Sequence, residues 1–149
     1  MRPVIIGCAV LTLAACAKSQ DESQGAATAA RPAPVSLSAL AGRWRVRGYN
    51  AAGDSLVSYE LNATADTTGW TIVFAGRPPI PAHVAAAGSQ VTIAAGPYAS
   101  VLRRGVQVRT QGVAHLDGDS LVGTTIAHYT TTGPDSVLRI RIVGKRVAH

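Results

Sequence analysis

The run VQVRTQGVAHL at 106–116, the four residues DGDS at 117–120 and the run LVGTTIAHYT at 121–130 decide the fold of this chain. Each longer run carries apolar or aromatic residues at alternate positions, and the four residues between them have the chemistry of a tight turn, so the three pieces read as a β-hairpin. A symmetric turn over 117–120 puts Leu116 opposite Leu121, Val108 opposite Tyr129 and Arg109 opposite His128. If the next turn, 132–135, is symmetric too, Tyr129 faces Leu138, Ala127 faces Ile140 and Thr125 faces Ile142. Side chains alternate across a strand, so Val106, Val108, Ala127, Tyr129, Leu138, Ile140 and Ile142 share one face, which must be the core. The opposite face carries Gln107, Arg109, Gln111, His128, Arg139 and Arg141.

Working outward, short β-type runs punctuated by Gly, Asp, Asn and Pro continue from Gly42 to the C-terminus with no sustained helical period. Eight strands are expected, at 43–49, 55–62, 70–75, 82–86, 90–94, 106–116, 121–130 and 136–143. A helical turn at 37–41, capped by Ser36, is expected before them. The first hairpin, turning at 50–53, brings Trp44 opposite Tyr59, Val46 opposite Val57 and Arg43 beside Glu60. Asp54-Ser55, Asp119-Ser120 and Asp135-Ser136 each precede a strand. They read as turn chemistry rather than a cation site, because Asp and Ser side chains bond nearby backbone amides. The expected fold is all-β: a single antiparallel up-and-down barrel, or a strongly curved sheet, of about eight strands. Closure would pair the first strand with the last and remove the sheet edges. Arg43, Arg45, Arg47, Arg139 and Arg141 would then form an outward basic strip, with Arg109 and His128 on the same outer face, suited to an anionic partner.

The N-terminus has a different composition. Arg2 precedes an apolar run from Val4 to Leu13, and Leu13-Ala14-Ala15-Cys16 places two small residues before a cysteine. This is the layout of a secretory signal peptide, and it resembles a bacterial lipoprotein signal with its lipobox. The resemblance implies cleavage after Ala15, so that 1–15 is the signal peptide, and acylation of Cys16 as the membrane anchor. Residence in the cell envelope follows, and Ala17 is compatible with outer-membrane delivery. Residues 16–36 contain almost no bulky apolar side chain, so they read as a disordered tether. A tether of this kind spans about 25 Å as a coil and about 65 Å when stretched. Residues 37–149 then form the β domain. Cys8 and Cys16 are the two cysteines, which leaves none in that domain and excludes disulfides there. After the signal no apolar run approaches the ~18 residues needed to cross a bilayer as a helix.

Gly42-Arg43-Trp44 resembles the Gly-x-Trp of lipocalin-like barrels. The resemblance implies that Trp44 closes the barrel floor under a basic residue of the last strand, for which Arg139, Arg141 and Arg146 are candidates. A pocket would be lined by Trp44, Tyr59, Trp70, Phe74 and Tyr129, with Ile72, Val91, Ile93, Val108 and Ile140. Gly112, Thr125 and Ala127 would leave space among them. Eight strands enclose an interior that side chains fill or that holds one small ligand, and the sequence leaves both readings open.

Other functional classes find little purchase. The net charge of the whole chain is +6, and the balance within the β domain, eleven basic residues against six acidic ones, is modest, so no nucleic-acid partner is expected. His83, His115 and His128 match no metal-ligand spacing, and the hairpin register keeps His115 and His128 from facing one another. No nucleophile elbow, phosphate loop or paired carboxylate outside a turn is present. The expectation is a monomeric, non-enzymatic envelope protein without cofactor or metal, binding a small apolar or amphiphilic ligand. The alternative is an interaction or assembly module with a filled core, acting on another envelope component through the basic strip and the Pro-rich loops at 76–81 and 96–105. In the second of these loops Val101 and Leu102 suit either a partner contact or a plug for one end of the barrel.

Overall fold

A computed structural model describes residues 34–148; the signal peptide, Cys16 and all but the last residues of the tether lie outside them. A one-turn helix, α1 (Leu37–Leu40), leads into eight strands: β1 (Gly42–Tyr49), β2 (Ser55–Ala63), β3 (Thr71–Val73), β4 (Ile80–Ala87), β5 (Gln90–Ala99), β6 (Gln107–Asp117), β7 (Ser120–Tyr129) and β8 (Val137–Arg146). Each strand pairs antiparallel with the next and β8 returns to β1, closing a barrel. Closure leaves every strand with two neighbours, the state that buries an alternating apolar face without exposing a sheet edge.

The β6–β7 register is the one expected, with Val108 opposite Tyr129 and Leu116 opposite Leu121. Its two-residue turn uses Gly118 at φ +56°, a conformation glycine adopts without steric cost. Two other registers slide by two residues. In β1–β2, Trp44 faces Leu61 and Val46 faces Tyr59, and Arg43 faces Asn62 rather than Glu60. A bulge at Gly48/Tyr49 and a longer turn cause the shift, the turn being closed by the Asp54 amide donating to Asn50 Oδ1 at 2.8 Å. In β7–β8, Ala127 faces Leu138 and Thr125 faces Ile140, because a 3-10 turn at Pro134–Ser136 makes that connection asymmetric. A slip of two keeps every side chain on its face, so the core residues remain as expected.

Three local expectations are corrected. β5 does not stop at Ala94; it continues to Ala99 through a bulge between Ala95 and Tyr98, which accommodates the donor-less Pro97. β3 is only three residues long. Ser36 makes no side-chain cap on α1; its hydroxyl lies 2.6 Å from that of Ser38. The three Asp-Ser pairs all sit at connections, Asp119 at one end of the barrel and Asp54 and Asp135 at the other.

The two ends differ. One is closed by α1 and by the β2–β3, β4–β5 and β6–β7 turns. There Leu40 and Trp44 are fully buried, and the indole Nε1 of Trp44 donates to the Leu40 carbonyl at 2.7 Å. The Arg146 guanidinium lies 4.3 Å from the centre of the Trp44 ring and donates to the carbonyls of Ala39 at 2.7 Å and Ala41 at 2.5 Å. Gly42, at φ +126°, leaves room for it: a Cβ there would stand 2.9 Å from Arg146 Nη1. Val35, at the end of the stretch read as tether, packs on the core and donates its amide to Gly88 O at 2.7 Å. Trp44→Phe would strand the Leu40 carbonyl and leave a void under Arg146. It should lower stability by about 2–3 kcal/mol in urea unfolding followed by circular dichroism.

Candidate functional site

The open end is ringed by the β1–β2, β3–β4, β5–β6 and β7–β8 connections, and it holds a cavity of about 60 Å³. Its position follows from an asymmetry of side-chain size. Tyr59 of β2, Phe74 after β3 and Tyr98 of β5 form a run of aromatic contacts, with ring centres 5.5 Å apart for Tyr59–Phe74 and 5.8 Å for Phe74–Tyr98. Across the barrel β6, β7 and β8 contribute Gly112, Thr125, Ala127 and Ile140. Gly112 pairs with Thr125 on one side and Ile93 on the other, and a Cβ at 112 would come within 2.9 Å of Thr125 Oγ1. The void is what large residues on one wall and small ones on the other leave between them.

A water needs roughly 10–15 Å³ of such volume, and an apolar cavity that takes up benzene is about 150 Å³. The space therefore suits a few atoms as it stands, and a larger guest requires its cover to move. That cover is the segment 100–106. Val101 and Leu102 line the cavity from above while remaining 37% and 38% exposed. The buried Ser100 hydroxyl accepts from the amides of Leu102 at 3.1 Å and Arg103 at 3.0 Å. Two arginines hold the segment, one at its start and one from within it: Arg77 donates to the Ala99 and Ser100 carbonyls. Arg103 donates to the Asp135 carbonyl and stacks 3.9 Å from the centre of the Tyr129 ring. Val101 and Leu102 thus cap the barrel mouth without sealing it.

The polar groups of the cavity are hydroxyls, from Tyr59, Tyr98, Tyr129, Ser100, Thr110 and Thr125. Burial, with the nearby Tyr98 phenol adding to it, pushes the Tyr59 phenol well above its ordinary range. Tyr98 is also raised by burial, against the opposing pull of the Thr110 hydroxyl. Neutral phenols can donate or accept one hydrogen bond each to a ligand's polar end, while the remaining lining is apolar. Tyr59 and Phe74 also back a second, wider groove of about 470 Å³ on the outer side, with Arg45, Glu60 and Arg77. It lies where β2 pairs with β3 over only three residues.

Of the residues expected in a pocket, Tyr59, Phe74 and Tyr129 line the cavity, as do Ile72, Ile93, Val108, Ile140, Gly112, Thr125 and Ala127. Trp44 and Trp70 do not. Both sit at the closed end, held by their indole hydrogens, Trp44 to Leu40 O and Trp70 to Asp66 O, each at 2.7 Å. Val91 is likewise outside the cavity lining, fully buried in the core. Of the three candidates for a basic cover on Trp44, the structure selects Arg146. Tyr98, Ser100, Arg77 and Arg103 are the members that sequence reasoning missed. The Gly96-Pro97 pair hid the strand that carries Tyr98, and the two arginines act through long-range contacts that leave no local signal.

The outer strip is assembled in part. Arg43, Arg45, Arg47, Arg139 and Arg141 are all exposed on the paired β8 and β1. Arg43 approaches Glu60 at 4.0 Å, and Arg141 stacks on Tyr49 with its guanidinium 5.2 Å from the ring centre. Arg109 and His128 are opposite one another on β6 and β7, with His128 paired to Val137 of the neighbouring β8. His83, His115 and His128 are exposed on the outer wall, and among the described residues no three of His, Cys, Asp and Glu converge.

Comparison with family models, curated proteins and solved structures finds no match to this chain.

The raised phenols carry a pH signature. Folded Tyr59 and Tyr98 keep protons that the unfolded chain releases above pH about 10. Their contribution to stability is therefore complete below that pH and lost as pH rises beyond it. Unfolding free energy should fall above pH about 10, and Tyr59→Phe should flatten the fall; urea titrations between pH 8 and 11.5 check both.

Proposed function

We propose that this chain is a lipid-anchored protein of the cell envelope that holds a small apolar or amphiphilic ligand at the open end of its barrel. The observation that carries the binding role is the cavity between the Tyr59–Phe74–Tyr98 aromatics and the small β6–β7 wall. It is apolar, fringed by phenols, and covered by a short segment rather than a packed lid. Burial of an apolar guest is worth about 25 cal/mol for each Å² removed from water, and opening the 100–106 segment supplies further area in Val101 and Leu102. The polar end of an amphiphile would meet the phenols, and its apolar part would meet Ile140, Ile93 and the Ala127 wall.

A non-enzymatic role is the accompanying reading, supported by the cavity chemistry. Its ionisable groups are phenols, those of Tyr59 and Tyr98 kept protonated by burial, with the three described histidines on the outside. A lipocalin-like barrel is supported by Gly42, Trp44 and Arg146, which build the basic-capped tryptophan floor. Anchoring is supported by Leu13-Ala14-Ala15-Cys16 alone, and an outer-membrane destination by Ala17.

Ala127→Leu should fill the cavity while leaving the outer wall untouched. Uptake of an environment-sensitive apolar probe should drop at least tenfold, with circular dichroism unchanged; Val137→Ser, on the outer face, should bind as the parent does. Equal uptake by both variants would sink the proposal. Native mass spectrometry of the full chain taken from its own envelope should show an added mass that denaturation removes. For the anchor, Cys16→Ala should move the protein from the membrane to the soluble fraction and abolish an acyl mass on the mature N-terminus.

A further inference from the structure

The outer wall of a small barrel in water is expected to be polar along every strand, and here one sector is not. Val122 of β7 pairs with Val143 of β8, and Ile126 lies two outward positions further along β7. Val113 of β6 stands beside Thr124, between the two. Val113 is 38% exposed and Val137, at the end of the same sector, 49%. The sector is flanked by cations: Arg139 pairs with Ile126, Arg141 with Thr124, and Arg47 with Val143. The carboxylates of β6, β7, β8 and their connections, Asp117, Asp119 and Asp135, lie at the two barrel ends. The middle of the wall therefore combines the exposed Val113 and the half-buried Val122, Ile126 and Val143 with positive charge along β8 and β1.

We propose that this β6–β8 wall is a docking face for an anionic lipid bilayer. Charge argues against a second copy, since a two-fold contact through this face sets Arg139 and Arg141 against their own counterparts. Short valines and an isoleucine, bordered by long arginines on the β8–β1 side and by Gln111 and His115 on β6, suit a headgroup layer, where the aliphatics enter the acyl boundary and the guanidiniums reach the phosphates. The choice of a bilayer over an acidic protein rests on the Cys16 anchor reading. The 17 residues between Cys16 and Pro34 hold the domain within about 60 Å of the membrane.

The test uses the full chain with Cys8→Ser and Cys16→Ser, so that no acyl group contributes. A single cysteine carrying an environment-sensitive fluorophore is placed at Val113→Cys or at Val73→Cys, on the outer side of β3, the strand that faces β7 across the ring. Vesicles of phosphatidylcholine with 30% phosphatidylglycerol should blue-shift the label at 113 and leave that at 73 unchanged, and vesicles of phosphatidylcholine alone should affect neither. A surface arginine is worth about fivefold in binding to such membranes, so Arg139→Gln with Arg141→Gln should weaken the response about 25-fold. An equal response at both labels, indifference to the arginines, or response only to an acidic protein each overturns the proposal. Failure here with Cys16→Ala still releasing the chain would leave the anchor standing, and the converse would leave the wall standing.

Discussion

The pairing of β8 with β1 is the constraint on which the rest depends. It makes eight strands a ring, so each alternating strand has an inside and an outside, and it brings residues a hundred positions apart into one floor. Trp44 pairs with Arg146 across that seam. The guanidinium then covers the indole and binds the carbonyls of Ala39 and Ala41, so α1 is fastened by the strand at the opposite end of the chain. Without the seam, Arg146 has no indole to cover, α1 loses its two bonds from β8, and the outer arginines of β1 and β8 no longer form one surface.

Much of this was legible because register errors in a barrel come in units that matter differently. A slip of one residue inverts every side chain, whereas a slip of two preserves faces and changes only heights. The two hairpins read with the wrong register, β1–β2 and β7–β8, are both displaced by two, one by a bulge and one by a 3-10 turn. Val46, Ala127, Ile140 and Ile142 therefore fell on the correct face. Height along the axis was not legible, and height is what separates a floor from a cavity. Trp44 and Trp70 share the inward face with Tyr59 and Phe74, yet their indole hydrogens are spent at the closed end.

The cavity was legible on one wall only. Small residues at Gly112, Thr125 and Ala127 mark a place where an inward face has too little volume, a signal that periodicity exposes. The opposite wall needed Tyr98, which follows Gly96-Pro97 in a stretch that reads as loop. The bulge there returns the chain to the sheet and turns the phenol inward. Arg77 and Arg103 act on the covering segment through contacts separated by 22 and 32 residues, and nothing in the neighbouring sequence points to them.

The two surfaces this barrel offers, an apolar interior with one covered mouth and an aliphatic-cationic outer sector, are consequences of the same three strands. β6 and β7 carry Gly112, Thr125 and Ala127 inward against the larger Ile140 and Ile142 of β8, which leaves the cavity, and all three strands carry β-branched or arginine side chains outward, which makes the wall. Gly123 shows how closely the two are coupled, since a Cβ there would strike the Val113 carbonyl at 2.1 Å and the Ala114 Cα at 2.7 Å. Val113 is the outward aliphatic of the wall and Ala114 an inward core residue, so the approach of β7 to β6 at Gly123 positions both faces at once. Only a residue without a Cβ permits that approach, so the absence of a side chain at 123 sets the spacing of the two strands that carry both the cavity wall and the outer sector.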